Sequence, residues 1–330
     1  MTANARSLVI RITISIAAVF LLIFLMRDKL SNSLAMIRHG LDMRWFLCVV
    51  AGYVVGNAIL AVRMRSVFRA QEVHMSVREA IHLTIVGLFF NLFLPSAVGG
   101  DMAKVYYACQ YSGKKMESTT SIILDRMIGF VSIICMAVAA VFICKDQFGD
   151  AKIDRLIFLF LGLMLLAVAF FASKRFARVF SFFKIFVPSE KWRKRLSEVY
   201  HSIHGYRNHL PILMYSLALS FFAQGIFTLT YYWTALSLGH PTNPWLYFLF
   251  VPALAIVSMV PSIGGLGVRE AGSVYFFSRL MPTETALALS LLMDFIIYGF
   301  SLIAGLWYAF HGGLKAKLPF GGLEEIDHAR

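Results

Sequence analysis

The stretch Pro95-Ser96-Ala97-Val98-Gly99-Gly100-Asp101, with Lys104 three residues on, decides how this chain is read. It interrupts an apolar segment, and it has a near copy about half the chain later: Pro261-Ser262-Ile263-Gly264-Gly265, followed by Arg269 and Glu270. Proline, glycine and charge recur together, so the two stretches read as an internal repeat. Each break ends an apolar run. Val77–Leu94 stops at Pro95 and Trp245–Val260 stops at Pro261, because proline disfavours helix in the residue before it. The first run opens on a capping box, Ser76-Val77-Arg78-Glu79, whose side chains satisfy backbone donors at a helix start.

The composition places these breaks in lipid. Of 330 residues 59% are hydrophobic and 15% charged, and the mean hydropathy is +0.72. A soluble domain carries far more charge. Six further segments read as full spans: Leu8–Met26, Trp45–Val62, Ser121–Cys144, Leu156–Ala172, Pro211–Leu236 and Ala286–Phe310. Leu8–Met26 has no small-residue cleavage site and reads as a retained first span. The expected fold is therefore an all-α polytopic membrane protein. It has about six full spans plus two broken or re-entrant hairpin segments, eight hydrophobic segments in all. A single transmembrane domain covers residues 1–320, with repeat halves 1–155 and 156–320 and a loose tail, 321–330.

Charge orients the chain. The 31 Lys and Arg divide more unevenly across the membrane if both broken segments re-enter than if both cross, with the N- and C-termini cytoplasmic. That arrangement puts the two breaks on opposite sides, an inverted repeat. The segment Ser189–Tyr206 combines helical apolar spacing with Lys191, Arg193, Lys194 and Arg195. It reads either as a basic amphipathic helix on the cytoplasmic leaflet or as a packed connecting helix. The net charge of +13 fits anionic headgroups and positive-inside topology better than nucleic acid, which is not an expected partner. Cys48, Cys109, Cys135 and Cys144 have no C-x-x-C spacing and read as free thiols. His201 and His204 lack partner ligands, so no metal site is expected.

The breaks themselves suggest chemistry. Interrupted backbone is costly in lipid unless it lines a polar cavity or meets protein. A helix restarting after each break presents unpaired N–H groups and a positive dipole end, which favour phosphate or carboxylate. Gly99 and Gly100, and Gly264 and Gly265, let the backbone approach a ligand, while Lys104 and Arg269 add full charges. The alternative is a pair of kinked packing helices with locally paired charges, such as Asp101 with Lys104. Asp125 and Arg126, at the start of an apolar span, read as a buried pair near the site or as an interfacial one, and Asn91 as either a ligand or a cap for freed backbone. Asp101 and Glu270 are candidates to pair, steer or carry a proton. Two secondary candidates are Asp294, which sits mid-span as a helix–helix hydrogen-bonding partner or a proton-coupling group, and Arg63. Arg63 closes the second span, a position where arginine more often snorkels to the interface.

Taken together, Asn91…Pro95…Gly99-Gly100-Asp101…Lys104, Asp125-Arg126-x-x-Gly129 and Pro261-Ser262-Ile263-Gly264-Gly265-Leu266-Gly267-Val268-Arg269-Glu270-Ala271 resemble the lysylphosphatidylglycerol synthase transmembrane region family. That is the flippase-like membrane domain of the bacterial multiple peptide resistance factor and its stand-alone relatives. Ala61-Val62-Arg63-Met64-Arg65 is similar too, with Met64 where the family usually has an aromatic residue. The resemblance implies movement of lipids or lipid-linked precursors between the leaflets of a bacterial inner membrane. Two-part relatives carry a soluble aminoacyl-transfer domain after the membrane region, and the chain ends about twenty residues past its last span. Lipid aminoacylation is therefore not expected.

The leading expectation is a flippase-like transporter of an anionic lipid or lipid-phosphate, with no cofactor. There is no P-loop, so ATP hydrolysis is not expected. A membrane-embedded enzyme is the second class, but no nucleophile–base pair is found, so the chain is read as a non-enzyme. A non-transporting scaffold for a lipid-biosynthesis enzyme is the third.

Overall fold

The computed structural model describes residues 40–93, 99–144, 209–258 and 267–310, with isolated positions at 33, 35, 37, 38 and 162. The expected spans Leu8–Met26 and Leu156–Ala172, the segment 189–206, the tail 321–330, both Pro-Ser dipeptides, Gly264 and Gly265 lie outside them. Eight helices are described: α1 (Met43–Arg69), α2 (Val77–Phe93), α3 (Gly99–Ser112), α4 (Lys115–Cys144), α5 (Leu210–Ser237), α6 (Pro244–Val257), α7 (Val268–Phe277) and α8 (Thr283–Phe310). Four of them, α1, α4, α5 and α8, are long and apolar enough to cross a membrane. They contain the expected spans at 45–62, 121–144, 211–236 and 286–310.

Local chemistry sets the helix starts. The Asp42 side chain accepts from the Arg44 N–H at the head of α1, and Asn243 accepts from Trp245 N–H at the head of α6. Pro211 and Pro244 occupy first-turn positions, where a missing N–H costs nothing. The capping box of α2 is made as its sequence requires. Ser76 N–H donates to Glu79 Oε2 at 2.7 Å and Glu79 N–H to Ser76 Oγ at 3.2 Å. The backbone and hydroxyl hydrogen bonds from Ser76 hold the Glu79 carboxyl below its ordinary value.

The helices form two similar series: a long helix, two short ones around a break, and another long helix. Their packing repeats as well. α2 packs on α1, α3 and α8, while α6 packs on α5, α7 and α4; α3 meets α4 as α7 meets α8, and α1 meets α4 as α5 meets α8. Exchanging α1–α4 for α5–α8 turns each of these contacts into another; only α4–α5 has no counterpart of comparable extent. The two long helices at the centre, α1 and α5, run antiparallel. Asp42 N–H donates to Ser237 O at 2.7 Å at one end, and Arg63 reaches Ser220 at the other.

Small residues let α1 and α5 come together. In lipid there is little hydrophobic drive between helices, so close backbone approach and van der Waals packing decide the seam. A Cβ placed on Gly52 would lie 2.8 Å from Trp233 Cζ3, and one on Gly56 would lie 2.7 Å from Phe227 Cε1. Ser216, Ser220, Thr230 and Thr234 of α5 are buried; the Thr234 hydroxyl returns its proton to the Thr230 carbonyl at 2.7 Å. Large apolar side chains point outward instead, among them Leu47, Val54, Phe222, Phe295 and Leu306. On helices of this length such an outer face suits hydrocarbon.

Gly56→Leu should therefore destabilise the protein by about 1–3 kcal/mol, the usual range for overpacking. Thermal unfolding of detergent-purified protein measures this. Gly225→Ala, with no atom within 4 Å of the added Cβ, should be neutral or slightly stabilising.

Candidate functional site

Three charged clusters lie among the apolar helices. The first joins α1, α4 and α5. Arg63 is buried and donates from Nε and Nη2 to the two oxygens of Asp125, each at 2.8 Å. Its Nη1 donates to Ser220 Oγ at 2.7 Å, and Ser220 in turn bonds Ser132 Oγ at 2.9 Å. Gly129 leaves room for the guanidinium, since a Cβ there would lie 3.3 Å from Nη1. Such a bidentate pair is charge-neutral and locked by geometry. This corrects two expectations. Arg63 does not snorkel, because α1 continues to Arg69 and keeps it inside the bundle. Asp125 and Arg126 do not pair with each other; adjacent helical positions face different neighbours, and each finds its own partner.

The second cluster follows the first break. Asp101 of α3 forms an ion pair with Arg126 of α4 and a longer one, 3.6 Å, with Lys104. Arg126 also lies over the Phe130 ring. Asn91 of α2 accepts from Gly100 N–H at 2.9 Å, so its side chain caps the start of α3. Gly87 and Gly100 are required by this approach: a Cβ on Gly100 would lie 2.6 Å from Asn91 Cγ, and one on Gly87 would strike the Lys104 chain. Among the described residues two cations meet one carboxylate here, a formal charge of +1. Their side chains keep 18–30% of their surface exposed.

The third cluster follows the second break. Gly267, at φ +81°, turns the chain into α7 in a conformation other residues resist, and no side chain caps the helix start. Arg269 donates from Nε to Asp294 Oδ1 of α8 at 2.9 Å, adds a second bond from Nη2 to the same oxygen, and reaches Tyr298 Oη at 2.9 Å. Glu270 is 4% exposed, and no N–H or O–H donor among the described residues reaches either of its oxygens. The Asp294 carboxyl lies within hydrogen-bonding reach of it. Here two carboxylates meet one cation, a formal −1.

The second and third clusters correspond. Asp101–Arg126 and Arg269–Asp294 each join residues 25 apart, and Arg126 and Asp294 are both the twelfth residue of their long helices. The polarity is reversed between the two halves. This shared spacing is present in the sequence as paired opposite charges; Asp294 is the helix–helix hydrogen-bonding partner that its mid-span position allows, with Arg269 as its donor. Tyr298, one turn beyond Asp294, and the two serines around Arg63 carried no signal of their own. Of the predicted site residues, Asn91, Gly99, Gly100, Asp101, Lys104 and Arg126 come together; Arg269, Glu270 and Asp294 form a separate group; Arg63 and Asp125 form a third.

Comparison with known proteins fits this geometry. A family model described as the lysylphosphatidylglycerol synthase TM region matches residues 8–305. The chain belongs to that family. It is also similar to a UPF0104 membrane protein of Pyrococcus horikoshii, 24% identical over 285 residues, covering 76% of this chain and 82% of the relative. No solved structure matches. The family match spans both breaks and all three clusters, so they are features of one membrane region.

Replacing Arg63 with Met would leave Asp125 buried and unpaired, at a cost of about 3–5 kcal/mol. Arg63→Met with Asp125→Leu should recover most of that loss. Folding yield and thermal unfolding of the single and double variants test the pair.

Proposed function

We propose that this family member moves an anionic lipid, or a lipid-linked phosphate, from one leaflet of a bacterial inner membrane to the other, as a transporter and not an enzyme. The observation that carries the reading is the Asp101–Lys104–Arg126 cluster, a partly exposed group of net positive charge directly after a helix break. Charged groups among membrane helices are expensive, and an excess cation there is balanced by an anion. A phosphate would displace part of Asp101's hold on the two cations. In this reading the two broken segments re-enter from opposite sides as an inverted repeat, and access alternates as one half rocks against the other.

The site proposed here is one-sided. Arg269 was expected to mirror Lys104 as an anion ligand, but its guanidinium faces Asp294, Tyr298 and the neighbouring Glu270. That group already carries excess negative charge. The headgroup is therefore assigned to the first half. An enzymatic role is less favoured, because Asp101 and Asp125 are both committed to basic partners.

Leaflet exchange of a fluorescent phosphatidylglycerol in proteoliposomes tests the reading. Lys104→Gln and Arg126→Gln should each slow exchange by about tenfold or more, the loss expected for one charge-assisted hydrogen bond. Unchanged exchange in both folded variants would remove this anion site. Chemical turnover of the lipid by the purified chain would replace transport with catalysis.

A further inference from the structure

The third cluster has a charge imbalance that nothing among the described residues repairs. Arg269 spends two hydrogen bonds on one oxygen of Asp294, Oδ1. Neither bond reaches Oδ2 or Glu270. Glu270, almost wholly buried, offers two oxygens to which no donor comes. A buried carboxylate with no hydrogen bond and no cation of its own costs several kcal/mol or more.

Among the described residues the surroundings supply no further partner. α7 itself contributes Arg269 and, one turn beyond Glu270, the hydroxyl of Ser273, which is also buried without a partner. α8 contributes Asp294 and Tyr298. From α5 comes Tyr231 and from α1 comes Tyr53, both near enough to sense the charge of Arg269. α6 faces α7 with Leu254 and Val257 against Gly272, and its single tyrosine, Tyr247, stacks near Phe277 at the far end. The inventory is thus one arginine, two carboxylates and neutral hydroxyls. One positive charge is missing.

We propose that Glu270 and Asp294 share one exchangeable proton, making this cluster the coupling-ion site of the transporter. The proton sits on Asp294 Oδ2 and is donated to a Glu270 oxygen, while Arg269 holds Oδ1. It satisfies one unpartnered acceptor and brings the cluster to neutrality with a single particle. Release returns the proton to water and leaves two carboxylates against one arginine, a state that favours rearrangement of α7 against α8. This inference rests on the transport reading for its purpose, but not for its existence.

Two measurements separate those parts. Infrared difference spectra of the full-length purified protein, taken across a pH titration, should show the C=O stretch of one protonated carboxylic acid. That band should be lost in Glu270→Gln and in Asp294→Asn. If one variant fails to fold, the other decides. A band that persists in a folded variant overturns the shared proton. Disappearance of the wild-type band on adding sodium at constant pH also overturns it, in favour of a metal cation. In proteoliposomes of phosphatidylcholine and labelled phosphatidylglycerol, an imposed pH gradient should accelerate exchange by wild type. The difference between exchange with and without the gradient should vanish in Glu270→Gln. A variant-sensitive band without lipid exchange by wild type would uphold the proton site and sink the transport reading. Exchange indifferent to the gradient in wild type would overturn the coupling.

Discussion

A helix that breaks among apolar neighbours loses part of its own hydrogen-bond ladder, and something else must fix the direction in which the chain restarts. In this protein the restart is fixed by an ion pair. Asp101 ties α3 to the middle of α4, and Arg269 ties α7 to the middle of α8, across the same 25-residue separation. The rest of the architecture depends on that constraint. Gly87 and Gly100 are small because α2 and α3 must close around the first pair, and Gly267 takes its left-handed turn to bring Arg269 to the second. The antiparallel α1–α5 seam sets the two halves back to back, and the neutral Arg63–Asp125–Ser220 network pins that seam to α4.

Repetition of the geometry with reversed polarity has an electrostatic consequence. A repeat that copied its charges would place two like clusters in one low-dielectric bundle, where their repulsion is weakly screened. Here the Asp101–Lys104–Arg126 cluster carries excess positive charge and the Arg269–Glu270–Asp294 cluster excess negative charge. Opposite excesses attract, and the two clusters together are closer to neutrality than either alone.

Much of the helical architecture could be read in the chain. Four of the long apolar helices, the capping box at Ser76 and Glu79, and the repeat of the breaks follow from hydropathy, local hydrogen bonding and proline chemistry. These are local properties. Partner choice among charges is not local. Lys104 stands one turn from Asp101 and was readable as its partner, but Arg126, on the next helix, makes the shorter ion pair with Asp101. Arg63 looked terminal because apolar content falls at Arg63 and Arg65, yet a buried carboxylate on α4 allows the helix to carry its arginine inward. Asn91 could serve ligand or backbone by sequence, and the fold gives its oxygen to Gly100. Glu270 shows the opposite case, a charged residue to which no donor comes among the described residues.

The opposite excesses also bear on energy. On the proposed reading, an anionic headgroup occupies the Lys104–Arg126 side while a proton occupies the Glu270–Asp294 side. Moving one negative charge alone across the membrane would work with or against the potential by about 2.3 kcal/mol per 100 mV. A proton moving with it cancels that term, so the loaded protein carries no net charge through the field. The proton gradient then acts on the cargo through its chemical part alone, and direction follows from the pH difference rather than from voltage. A frame with two like-charged sites could not achieve this, because it would load two anions or two cations together. Reversing the polarity of one ion pair while keeping its spacing is the smallest change to a duplicated half that makes such pairing possible.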